Sequence, residues 1–144
     1  MGKLATLFSG LRARAKISAD RAPVEISYTP DLDGAPDPGE VVWAWVSYEE
    51  DPSQGKDRPV VIIGERDRRF AAVALTSRDR SDEFECVAVG SGLWDSQRRP
   101  SFAKLDRILW FDGPSIRREG AILDRQAFVR LIDRLREVHG WTDR

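Results

Sequence analysis

From Gly39 onward the chain is a succession of short runs rich in β-branched and aromatic residues, and this limits the fold more than any other feature. The runs Val41 to Tyr48, Val60 to Gly64, Phe70 to Thr76, Phe84 to Val89 and Arg107 to Phe111 each have the length of a strand, and Asp112-Gly113 marks a turn after the last. The connections between them are short and polar. Such spacing argues for a small barrel or sandwich and not for alternating βαβ units. One helix follows. Asp124 is placed to cap it, Phe128, Leu131, Ile132, Leu135 and Val138 form a single apolar stripe, and Gly140 ends it, while Arg130, Arg134 and Arg136 take the other face. The expected fold class is mainly β (α+β): a small barrel over residues 39–144 with a C-terminal helix packed on it.

Residues 1–38 read differently, as an N-terminal extension. Leu4, Leu7, Phe8 and Leu11 fall at helical spacing among Lys3, Arg12, Arg14 and Lys16, which predicts a short amphipathic helix. The basic, acid-poor character is shared with targeting segments, but the apolar stretch is short and broken by Thr6, Ser9 and Gly10. Contact with a membrane surface is the other use such a helix could have. Ser27 to Pro38 is rich in Pro and Asp and is expected to bury no apolar area, serving as a linker or an irregular arm. The longest clean apolar run, Pro59 to Ile63, is far short of the roughly 20 residues that span a bilayer, so no membrane insertion is expected. A lone cysteine, Cys86, forms no internal disulfide and is expected in the core. A cytoplasmic location fits that cysteine usage.

The net charge of −1 conceals segregated signs. Residues 23–51 hold eight acidic groups and no basic one, whereas residues 52–80 hold seven basic and four acidic groups. The middle of the chain is therefore locally positive, and only four of the 23 basic residues are lysine. Arginine suits bidentate recognition of phosphate.

Many enzyme plans are absent: there is no GxxxxGK[ST] loop, no HExxH, no GxSxG, and Gly90-Ser91-Gly92 is too short for a dinucleotide fingerprint. A single histidine, His139, excludes paired-histidine acid–base chemistry within one chain and is expected to serve the helix terminus. No resident metal or cofactor is expected. Two polar clusters carry more information. Glu49 to Pro59 separates the first two strands by more than a tight hairpin needs, and Pro59 forces Arg58 into extended backbone, presenting its guanidinium from a defined point. Thr76-Ser77-Arg78-Asp79-Arg80 sits where the third strand ends. Trp43, Trp45 and Trp110 lie inside apolar runs and are expected in the core, and Trp94, beside Gly92 and Asp95, is expected at the surface with Arg98 and Arg99.

The sequence resembles the PemK/MazF family of toxin endoribonucleases in Gly39-Glu40-Val41-Val42-Trp43, in Gly55-Lys56-Asp57-Arg58-Pro59-Val60-Val61-Ile62, in Ala74-Leu75-Thr76-Ser77, and in Pro100-Ser101 followed by Leu105-Asp106-Arg107-Ile108. The resemblance runs from about Gly39 to the C-terminus. It implies an SH3-like barrel, a homodimer, metal-free cleavage of single-stranded RNA and silencing by a cognate antitoxin protein. Its catalytic arginine falls on Arg58 and its catalytic threonine on Thr76, with Gln54, Lys56, Ser77 and Arg78 as RNA-binding candidates. Two features depart from the family: Glu50-Asp51-Pro52-Ser53-Gln54 replaces a Gly-Ser-Glu-Gln-like run, and the extension has no counterpart in short members. For removal of the 2′-proton, Asp57 and Asp79 are the carboxylates at hand. The same pattern has a second reading, a non-catalytic barrel that grips RNA or a protein partner through Trp94, Arg98 and Arg99.

Overall fold

The computed structural model describes residues 24–31, 36–113 and 116–141. The predicted helix around Leu4 to Leu11 lies outside these residues. Seven strands precede one helix: β1 (Glu25–Ile26), β2 (Glu40–Ser47), β3 (Gly55–Arg66), β4 (Arg69–Thr76), β5 (Cys86–Gly90), β6 (Ser101–Phe111), β7 (Ile116–Ile122) and α1 (Arg125–His139). All described pairings are antiparallel, in the order β5-β6-β4-β3-β2-β7, with β1 added alongside β3. The result is a curled half-barrel carrying a C-terminal helix, in agreement with the strand-rich pattern of the sequence.

Alternation along the strands divides the core in two. Val61, Ile63, Val73, Leu75 and Leu105 face α1 and pack with Phe128, Leu131, Ile132 and Leu135, whereas Val42, Val60, Ile62, Ala72 and Ala74 line the opposite face. Both faces of the central strands are covered in the middle of the sheet, so β3 reads as a continuous apolar run from Pro59 to Ile63. The helix has the termini that its sequence predicts. The Asp124 carboxylate accepts the Ala127 N–H at 3.1 Å, and Gly140 closes the helix in the left-handed conformation at φ 68°. His139 does more than serve the helix end: its Nε2 lies 2.7 Å from the carbonyl oxygen of Leu105, tying α1 to β6.

The structure corrects several expectations. β3 starts at Gly55 and β6 at Ser101, so strand pairing reaches well into stretches read as loops, and Phe84 stands exposed before β5 begins. β7 escapes a hydrophobicity reading because Arg117, Arg118, Glu119 and Gly120 occupy its middle. The expectation that Ser27 to Pro38 buries no apolar area gives way at Tyr28. Val24 is buried in the core, the Tyr28 hydroxyl donates to the Leu123 carbonyl at 2.7 Å, and its ring sits 5.0 Å from that of Phe128. Gly39, at φ 100°, passes so close to the Tyr28 ring that a Cβ there would stand 2.8 Å from it.

The tryptophans trade places with their expected environments. Trp94 is 4% exposed and its Nε1 donates to Ser101 Oγ at 2.9 Å, while Trp45 is 57% exposed. Trp43 and Trp110 are half-buried, the latter beneath Arg66 and Arg69, whose guanidinium carbons lie 5.1 and 5.9 Å from its ring centre. Along β2, Val42, Ala44 and Val46 share one face, and Trp45 lies on the other, opposite the exposed Asp57. Cys86 is buried, and burial together with the Glu83 carboxylate pushes its thiol up to about 11. Among the described residues no helix is long and apolar enough to cross a membrane.

Candidate active site

Arg58 lies within β3, opposite Ala44 of β2, and not on the tail of a loop. Pro59 follows it at a position paired with Trp43, so the backbone on either side of the arginine is held in extended pairing. On its other side β3 pairs with β4 in a register that joins Val61 to Val73 and Val60 to Ala74. That pairing ends at Val60 and Ala74; Arg58 stands two residues before Val60 on β3, and Thr76, the last residue of β4, two residues after Ala74.

The two residues line one cleft of about 180 Å³, together with Lys56, Asp57, Ser77 and Arg99. A second cleft, of about 200 Å³, adjoins it and also includes Arg58, with Lys104, Arg107, Glu49, Glu50 and Asp106 on its walls. Arg58 is thus the wall common to both. It is half-buried, and its guanidinium meets no hydrogen-bond or ion-pair partner among the described residues.

Thr76 is positioned by the turn it begins. Its Oγ1 accepts the Arg78 N–H at 3.2 Å, which fixes the side chain and leaves the hydroxyl proton to be donated. Ser77 and Lys56 line the same cleft, whereas Gln54 and Arg78 line neither. Gln54 closes the turn before β3, its carbonyl accepting the Tyr48 N–H and its own N–H donating to the Asp51 carbonyl, both at 2.9 Å. Of the two carboxylates considered for proton removal, Asp57 is in the cleft and Asp79 is outside both. Asp79 accepts the Ser81 N–H at 2.9 Å, a bond that lowers its pKa and makes it a weaker base.

The far wall departs from its expected role as an exposed binding surface. Trp94 and Arg99 are structural: Asp95 is 8% exposed and receives Arg99 Nε at 2.8 Å, Arg99 Nη2 at 3.3 Å, the Gln97 N–H at 3.1 Å and the Arg99 N–H at 3.2 Å. The Arg99 side chain is the leading cause that holds the Asp95 carboxyl below its usual range. An acid followed four residues later by arginine is the sequence signal for this clasp. Among the described residues no group of three or more His, Cys, Asp or Glu side chains is placed to hold a metal ion.

Comparison with known proteins agrees with this architecture. Residues 37–139 match the family model of PemK-like, MazF-like toxins of type II toxin-antitoxin systems. Comparison with curated protein sequences gives no match. Among solved structures, MazF of Deinococcus radiodurans superposes with a TM-score of 0.60 at 19% identity, covering 75% of this chain and 99% of that one. A mycobacterial endoribonuclease in complex with its cognate antitoxin gives 0.58 at 17% identity over 76% of this chain and all of that one. The Mycobacterium tuberculosis toxin MazF-mt6 gives 0.54 at 17% identity, with 72% and 99% covered. At these identities the structural matches speak for the fold, and the family model, spanning more than two-thirds of the sequence, speaks for membership. The chain belongs to the PemK-like, MazF-like toxin family of type II toxin-antitoxin systems.

Proposed function

We propose that the protein is the toxin of a type II toxin-antitoxin pair, an endoribonuclease that cuts single-stranded RNA. The observation that carries this reading is the half-buried guanidinium of Arg58, without a partner among the described residues and held on a β-strand in a cleft it shares with Thr76. A cation withdrawn from water without a carboxylate partner is costly unless an anion from outside completes it, and the geometry suits a phosphodiester.

In the reaction a ribose 2′-hydroxyl attacks the adjacent phosphorus. The bond from phosphorus to the 5′-oxygen breaks, leaving a 2′,3′-cyclic phosphate on one product and a 5′-hydroxyl on the other. The nucleophile is part of the substrate, so the first step requires neither an added water nor a metal-bound hydroxide. Arg58 stabilises charge building on the non-bridging oxygens, and Thr76 donates its hydroxyl proton to one of them. An arginine with a pKa above about 12 is a poor base. Asp57 lines the cleft with Arg58 and Thr76 and is our candidate for taking the 2′-proton, with Lys56 and Ser77 our candidates for holding the flanking backbone.

The matched mycobacterial endoribonuclease is in complex with its cognate antitoxin, which supports an antitoxin partner for this chain as well. A homodimer in the cytoplasm follows from the same family reading. Residues 1–38 are read as an extension of the family domain, joined to the barrel through β1 and Tyr28.

The test is incubation of the purified protein with a long single-stranded RNA in EDTA, followed by mapping of the new ends. Discrete cuts ending in cyclic phosphate and 5′-hydroxyl are expected. Intact RNA alongside a folded protein would overturn the enzymatic reading.

A further inference from the structure

The second cleft holds a cation that the reading above does not use. Lys104 lies on β6, paired with Ala74 of β4 on one side and Cys86 of β5 on the other. Continued across the sheet, that row reads Val42, Val60, Ala74, Lys104, Cys86, and every member except Lys104 is a buried, apolar side chain. Lys104 is half-buried, and its ammonium has no hydrogen-bond or ion-pair partner among the described residues.

A methionine or leucine would serve such a position without the cost of desolvating an ammonium. Local rules broken in this way mark functional positions. Two residues further along the same strands, beyond Val60 on β3 and Ala74 on β4, stand Arg58 and Thr76. Strand spacing and rise put the Cα atoms of Arg58 and Lys104 about 12 Å apart, and both residues line the second cleft. There the signs are sorted by depth. Arg58, Lys104 and Arg107 are half-buried, whereas Glu49, Glu50 and Asp106 are exposed at the rim, where water screens them. Arg107 is already engaged, donating to the Ser47 carbonyl at 2.9 Å and standing 3.8 Å from Glu49. Lys104 is not.

We propose that Lys104 is a second phosphate-binding residue, and that the cleft it lines with Arg58 takes the backbone phosphate next to the one being cleaved. The inference rests on the endoribonuclease reading and adds a substrate contact that the family resemblance does not assign. One strand of RNA then crosses the wall at Arg58 with the scissile phosphate there and a neighbouring phosphate on Lys104.

The test uses the full chain and an oligoribonucleotide spanning a mapped cut, with a single 2′-deoxy substitution at the attacking position so that it binds without being cut. Lys104→Met is expected to bind it about tenfold more weakly, the worth of one charge-assisted hydrogen bond. The slope of log affinity against log salt should become shallower by about 0.7, as expected when one fewer phosphate of a single strand is neutralised. Lys104→Arg should restore both, and the unfolding midpoint of Lys104→Met should equal or exceed that of the wild type. Unchanged affinity and slope in Lys104→Met would overturn the proposal, as would a lowered midpoint with an unchanged slope, which identifies a structural lysine. Lys104→Gln, read the same way, serves if the methionine variant does not fold. Wild-type protein that cuts RNA while these variants bind normally sinks the Lys104 inference alone; wild-type protein that neither cuts nor binds sinks both.

Discussion

Two arginines line the Thr76 cleft, and the fold treats them oppositely. Arg99, on the wall formed by residues 91–100, is clasped by both oxygens of a nearly buried aspartate, while Arg58, on the floor formed by β3 and β4, has no partner among the described residues. The wall is internally complete: Trp94 gives its N–H to Ser101, Asp95 accepts two backbone N–H groups, and Gly92 leaves no room for a Cβ beside the Trp94 ring. The floor is rigid in backbone and incomplete in charge. Rigid scaffolding beside an unsatisfied cation is the arrangement expected of a site that receives an anion, with its reorganisation settled during folding. Substitutions in the wall should therefore cost stability, and those on the floor should cost activity.

The sharpest contrast comes from Trp94→Ala. Removing this buried ring should destabilise the protein by about 3–5 kcal/mol, read as a lower midpoint in chemical denaturation. Asp95→Ala comes next. It strands the Gln97 and Arg99 backbone donors along with the guanidinium, and should cost about 1–3 kcal/mol by the same measurement. On the floor, Thr76→Val keeps the shape and removes the donated proton. Cleavage should fall about tenfold, with stability unchanged to within about 0.5 kcal/mol and activity recovered in Thr76→Ser.

The smallest effect concerns pH. The Asp95 pKa is lowered in the folded protein, so its stabilisation is in place above the unfolded value near 3.9 and is lost as pH falls through the folded one. The Arg99 side chain is 56% exposed, so Arg99→Ala should lower the unfolding midpoint at neutral pH less than any other substitution in the wall. It should also flatten the acid limb of the unfolding curve, because the leading cause of the Asp95 shift is gone.

The same contrast explains what is legible in the sequence. Helix α1 is readable end to end, since its stripe, its Asp124 cap and its Gly140 stop are all local signals. Arg58 and Thr76 are readable as a pair through the family resemblance, and the cleft that both line is a property of the folded sheet. β7 is hidden because pairing with β2, and not its own composition, makes Ile116 to Ile122 a strand. The Trp45 and Trp94 environments are the reverse of those expected because burial depends on which face a strand residue takes and on what the next loop covers. Lys104 gives no signal in sequence: its oddity exists only within the row of apolar neighbours that four other strands supply.

The most direct test of the central claim is Arg58→Ala, measured for single-turnover cleavage of a mapped RNA site and for unfolding in the same buffer. The account predicts a rate lower by about 10²–10³, comparable to loss of one preorganised donor at a developing charge, with the unfolding midpoint unmoved or raised. A variant that cleaves at the wild-type rate, or one whose lost activity is matched by lost stability, would contradict it.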